Sequence, residues 1–235
     1  MKKIYLTTII LTGLLLFGCG HINELAKYNV SGKGFLFREY TNPAAKTIQV
    51  TTENSSNNNK KKNAVLSVLT NIGSSIITSD VKDKIQNSIN TDTLNSYISN
   101  GLKKALITYL NIQPVASLKD NPQFIVETTL NKCELVSMNQ GVFVRVHAKS
   151  RIINRRNGNI IWENSEYETA PVGKSNYAGN INSNKNINKA INVIQLAALP
   201  KKEIRNVVYQ AAITVGIIMG DTLRKDVAES KEKKY

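Results

Sequence analysis

Two cysteines, two histidines and a short alternating run of cations are the residues of this 235-residue chain whose types could do chemistry. A metal site needs several converging donors. His21 stands near the N-terminus, and His147 sits among Arg145, Lys149 and Arg151, which disfavour a bound cation, so no metal is expected. Cys133 has no nearby His/Asp pattern to activate it and reads as a buried, inert thiol. Gly173-Lys174-Ser175 has the last three residues of a phosphate-binding loop, but Glu168 occupies the position of the upstream glycine that must turn the backbone amides inward. Gly-x-Ser-x-Gly, His-Glu-x-x-His and Cys-x-x-Cys patterns are absent. The expectation is a protein that is not an enzyme, with no catalytic residues, no cofactor and no bound nucleotide.

The cations carry more information. Arg145, His147, Lys149 and Arg151 alternate with apolar residues in a strand that would bury Val142, Val144, Val146 and Ala148, and Arg155 and Arg156 follow. A period of two puts the four basic residues on one face of a strand and the small apolar ones on the other. Such a face can serve as a platform for anionic groups or for an acidic partner. It can equally be a solvated face neutralised across the ladder. A two-residue Asn157-Gly158 hairpin loop would set Lys149 opposite Glu166 and His147 opposite Glu168. The same register leaves Ile153 beside Trp162 on the nominally exposed face, which points to a bulge or to a covering element.

Cys19 stands in a different setting. Lys2 and Lys3 precede the uncharged stretch Ile4 to Phe17, too short to span a bilayer and of the right length for a secretory signal. Leu16-Phe17-Gly18-Cys19 resembles the bacterial lipobox, with a small residue immediately before the cysteine. That resemblance implies a signal peptide over residues 1–18, cleavage before Cys19 and acyl chains on Cys19 as a membrane anchor. Gly20 follows where an aspartate would retain the protein at the inner membrane, so the implied location is the outer membrane of the cell envelope, facing the periplasm. Losing Lys2 and Lys3 lowers the net charge from +14 to 14 − 2 = +12. Export removes nucleic acid as the natural partner of that charge, and the 29 asparagines beside the lysines suggest a compositional bias of the source genome.

The elements that must position these residues follow from spacing. Residues 19–29 read as a lipidated tether and 30–227 as one domain, with mobile loops near 54–63 and 172–188 and a charged tail over 228–235. Gly34 to Phe37 and Thr47 to Thr51 read as strands split by Asn42-Pro43. Val65 to Ile89 carries helical spacing, and a stronger stripe of Leu94, Ile98, Leu102, Ala105, Leu106 and Tyr109 follows Thr91. Gln113 to Ser117 reads as an edge strand because Pro114 lacks a donor. Longer strands are expected from Phe124, over Val142 to Arg151 and from Ile160. A closing helix runs from about Lys201 to Val227, uncharged between Val207 and Met219. This order predicts an α+β fold, an antiparallel or mixed sheet with helices packed on one face.

From Leu110 to Trp162 the order resembles periplasmic lipoproteins with an anticodon-binding-like α/β fold. These include auxiliary lipoproteins of ABC transport systems, curli-secretion-type lipoproteins and penicillin-binding-protein activators. The tightest match is the turn Asn154 to Trp162 (NRRNGNIIW). The resemblance implies a lipid-anchored, non-enzymatic accessory protein of an envelope assembly, secretion or transport complex, and is compatible with a homo-oligomer. The alternative is a module binding anionic glycolipid or cell-wall polymer through Arg145, His147, Lys149 and Arg151. No pair of long amphipathic hairpins with aromatic girdles is present, which speaks against a pore.

Overall fold

The computed structural model describes residues 21–52, 84–138, 141–172 and 199–232. The helical spacing over 65–83, the polar loop at 54–63, Gly173-Lys174-Ser175 and Cys19 with its signal all lie outside the described residues. Strands β1 (Ile22–Asn23), β2 (Gly34–Thr41) and β3 (Gln49–Thr52) precede helix α1 (Thr91–Leu110). Then come β4 (Gln113–Val115), β5 (Phe124–Met138), β6 (Gly141–Asn154), β7 (Ile160–Pro171) and helix α2 (Lys201–Glu232). The sheet order is β1-β7-β6-β5-β2-β4, with β3 paired to β5 beyond the end of β2. β5, β6 and β7 are antiparallel, whereas β2 and β3 run parallel to β5. The sheet is therefore mixed, and both helices pack on one of its faces, as α+β patterning predicts.

Local chemistry explains the boundaries. Asn90 caps α1 by accepting from the backbone N–H groups of Asp92 and Thr93, and Asp92 adds a negative charge to the first turn. Asn111 ends the helix in the left-handed region at φ 51, where glycine is the usual residue and asparagine the next best. Leu94, Ile98, Leu102, Ala105 and Leu106 are buried along one stripe, but Tyr109, expected on it, is 39% exposed. Pro114 does sit in an edge strand, paired only through β2.

β6 alternates as expected. Val142, Val144, Val146, Ala148, Ser150 and Ile152 are buried toward the helices, while Arg145, His147, Lys149 and Arg151 stand on the outer face. In β5 a bulge between Leu130 and Lys132 shifts the alternation, so that Cys133 joins Leu130 in the core.

The helix pair depends on small residues. A Cβ on Gly101 would lie 2.6 Å from the carbonyl carbon of Gly216, and one on Gly216 would lie 2.8 Å from the Ile98 oxygen. Gly220, one turn on, faces the Ala105 methyl. The uncharged centre of α2 is thus a core helix whose backbone touches α1, and no described helix is long and apolar enough to cross a membrane.

Two domain boundaries differ from the sequence expectation. The folded part begins by residue 21, not 30: β1 pairs with β7, and Leu25 is buried. At the other end α2 continues to Glu232, with Ser230 buried, so the charged tail is helical over 228–232.

Candidate anion-binding cleft and the N-terminal clamp

The four residues of the basic stripe share the outer face, but their charges are committed to neighbours. Arg151 bonds Glu127 of β5, with Nη2 to Oε2 at 2.6 Å, and Lys149 reaches Glu163 of β7 at 2.7 Å. Arg145 lies 3.9 Å from Glu134, which Lys132 also contacts at 2.8 Å. Glu134 and Glu163 are buried, so these cations compensate carboxylates that would otherwise be stranded out of water. His147 Nε2 lies 2.8 Å from Ser165 Oγ, and burial, then the Lys132 charge, hold its pKa below the usual imidazole value. The stripe is a neutralised ladder with one uncharged member at pH 7.

The partners differ from those expected because the hairpin differs. Asn154 N–H donates to the Asn159 carbonyl, and Gly158 N–H donates back to Asn154 O, closing a loop over Arg155 to Gly158 in place of a two-residue turn. Gly158 supplies the positive φ of 74°. A bulge then sets Ile152 opposite Trp162, Lys149 opposite Ser165 and His147 opposite Tyr167. Glu166 turns to the helix side, where it accepts from Thr222 Oγ1 at 3.0 Å. The bulge also moves Trp162 off the outer face into full burial.

Trp162 is one end of a clamp on the N-terminal segment. Its Nε1 donates to Asp226 Oδ2 at 2.7 Å, and His21 Nε2 lies 3.1 Å from the other carboxylate oxygen. Asn23 Nδ2 donates to Asp226 O, Ser230 Oγ donates to Asn23 Oδ1, and Glu24 N–H donates to Ile161 O. Spacing alone gave no sign that His21 would meet a residue 205 positions away.

A cleft of 580 Å³ opens where the start of β2, the approach to β5 and the β6–β7 loop meet. Lys33, Arg155 and Arg156 line it, and among the described residues no carboxylate does. Arg155 Nη1 donates to Asn121 Oδ1 at 2.9 Å and to Pro122 O at 3.3 Å, both neutral oxygens. Gln123 Oε1 accepts from Gly34 N–H at 2.7 Å, and Asn154 Oδ1 accepts from Arg156 N–H at 2.9 Å. The backbone is equally fixed, with Gln123 N–H donating to Gly34 O and Arg155 N–H donating to Gln123 O. Arg155 and Arg156 were legible as cations; their separation from the paired stripe was not.

Cys133 is buried and its thiol is pushed up to about 12, first by burial and then by the Glu134 charge. No group of three metal-ligating side chains occurs among the described residues.

No family model and no curated protein matches the chain. Solved structures do align with it. Protein XCC0632 from Xanthomonas campestris is 7% identical, with 87% of this chain and 90% of that chain covered, at a TM-score of 0.42. The PelC dodecamer from Paraburkholderia phytofirmans is 12% identical over 79% of this chain and 87% of that one, at 0.31. Lipoprotein GNA1162 from Neisseria meningitidis is 16% identical over 71% and 99%, at 0.22. At these identities and scores the likenesses assign no family.

Proposed function

We propose that the chain is a lipid-anchored, non-enzymatic accessory protein of the bacterial envelope, held through acylated Cys19 at the outer membrane with its α+β domain in the periplasm. The observation that carries this reading is Leu16-Phe17-Gly18-Cys19 behind a charged start and an apolar stretch. The clamp supports it. His21 is already bonded to the domain, and two extended residues reach only about 7 Å, so the domain rides close to the headgroups. In this role the protein docks onto an assembly, secretion or transport complex. The outer sheet face is the weaker candidate for a ligand platform, because its cations serve Glu127, Glu134 and Glu163.

The test is metabolic labelling with an alkyne fatty acid, followed by membrane fractionation. The native chain incorporates label and partitions with the outer membrane. Cys19→Ala takes up none, and equal labelling of both would sink the anchor. Crosslinking in cells, with identification of the attached proteins, tests the accessory role.

A further inference from the structure

We propose that the cleft bounded by Lys33, Arg155 and Arg156 is a binding site for a phosphate group carried by an anionic lipid headgroup. The argument rests on which atoms remain to face the cleft. Beside Asn29, three amides line it whose oxygens are each engaged by an internal donor: Gln123 by Gly34 N–H, Asn154 by Arg156 N–H and Asn121 by Arg155. Their NH₂ groups are what remain to offer. Lys33 has only donors, and both guanidinium groups have only donors. The cleft is therefore rich in donors and holds no carboxylate among its lining residues. Three cations gathered without an acid repel one another, and a group that presents several acceptor oxygens with negative charge relieves that repulsion. Phosphate fits better than a single carboxylate, because it can face several converging donors at once.

The site is also built in advance. Arg155 is held by Asn121 Oδ1 and Pro122 O through Nη1, leaving its other nitrogen edge for a two-pronged contact. Arg156, Asn154 and Gly158 sit on a loop closed by two backbone hydrogen bonds. Elsewhere Lys132, Arg145, Lys149 and Arg151 all have carboxylate partners, so the lack of one here is a property of this end of the domain. The phosphate site stands whether or not Cys19 is acylated; the lipid source rests on the proposed anchor, because the chain runs from the clamp at His21 into Tyr28 and Asn29 of the cleft wall.

The test uses the full chain in neutral detergent and isothermal calorimetry at low salt. The probes are dihexanoyl phosphatidylglycerol, dihexanoyl phosphatidylcholine and inorganic phosphate. Phosphatidylglycerol is expected to bind, with phosphatidylcholine at least tenfold weaker. Asn154→Asp keeps the acceptor for Arg156 N–H but turns a carboxylate into the cleft, and should weaken binding more than tenfold. Replacing Lys33, Arg155 and Arg156 by alanine should abolish it, with the circular dichroism spectrum unchanged. The combined Arg145, Lys149 and Arg151 replacement should leave affinity within about twofold in protein that remains folded. Inorganic phosphate binding as tightly as phosphatidylglycerol would overturn the lipid source and leave a free-phosphate site. Binding of neither, or binding indifferent to Asn154→Asp, would overturn the site itself.

Discussion

Trp162 Nε1 donates to Asp226 Oδ2 across the β7–α2 interface at 2.7 Å, and both residues are buried. A tryptophan in a core needs a partner for its N–H, and a carboxylate in a core needs donors. Each meets the other's need, and His21 lies by the second carboxylate oxygen. Trp162→Phe removes the donor and leaves that oxygen dry, so it should cost about 1–3 kcal/mol in urea unfolding. Asp226→Asn retains an acceptor for the indole and should cost about 1 kcal/mol. Because Trp162 is the only tryptophan, its emission reports on Asp226→Asn, whereas unfolding of Trp162→Phe is followed by circular dichroism.

The glycines of the helix pair give a graded series. Gly216→Ala drives a methyl to 2.8 Å from the Ile98 carbonyl oxygen, and Gly101→Ala drives one to 2.6 Å from Gly216 backbone. Each must push the helices apart, at about 3 kcal/mol. Gly220→Ala meets the Ala105 methyl at 3.1 Å and should cost about 1 kcal/mol. Equal losses at Gly216 and Gly220 would show that contact distance does not set the order, since helix propensity alone favours alanine at both positions.

The outer face should behave as a support for buried acids. Removing Lys132 and Arg145 together leaves Glu134 buried without its cations and should destabilise the domain by about 3 kcal/mol. Adding Glu134→Gln to that variant removes the stranded charge and should recover more than half of the loss. A lack of recovery, measured by thermal melting, would mean that the lysine and arginine stems contribute through packing.

His147 predicts a slope with pH. Its folded-state pKa is lowered, so as pH falls through about 6.5 the unfolded chain takes up the proton first, and stability drops until the folded imidazole is charged too. His147→Gln should flatten the change in urea midpoint between pH 7 and pH 5.

Cys133 predicts the opposite flank. Its thiol ionises at about 12 when folded and near 9.0 when unfolded, so stability is lost as pH rises from about 9 toward 12. With Cys19 acylated as proposed, it would be the remaining thiol. It should resist alkylation at pH 8 and react fully in denaturant, and Cys133→Ala should lessen the alkaline loss.

Much of this architecture could be read from patterning. The period of two in β6, the 3.6-residue stripe of α1 and Pro114 at an edge each express one local rule, and each holds in the fold. The failures share a cause. The β6–β7 register, the orientation of Trp162 and the partners of Lys149 all turn on a one-residue bulge beside the loop; Ile153 beside Trp162 pointed to a bulge or a cover, but not to which residue it falls on. The clamp and the cleft were illegible for a related reason. His21 meets Asp226, and Lys33 nears Arg155, only because distant strands align. Net charge was the least useful signal, since composition cannot separate the cations of the stripe, which meet carboxylates, from those of the cleft.

The clamp also gives the molecule a mechanical character. With Cys19 anchored, tension between the bilayer and a docked partner would enter the fold at His21 and pass through Asp226 to the indole of Trp162. β1 is only two residues long and would peel before the core yields. A tug too weak to unfold the domain could then free the first strand, lengthen the leash and alter tryptophan emission in one step. Such a linkage would behave as a built-in strain gauge at the membrane end of the protein.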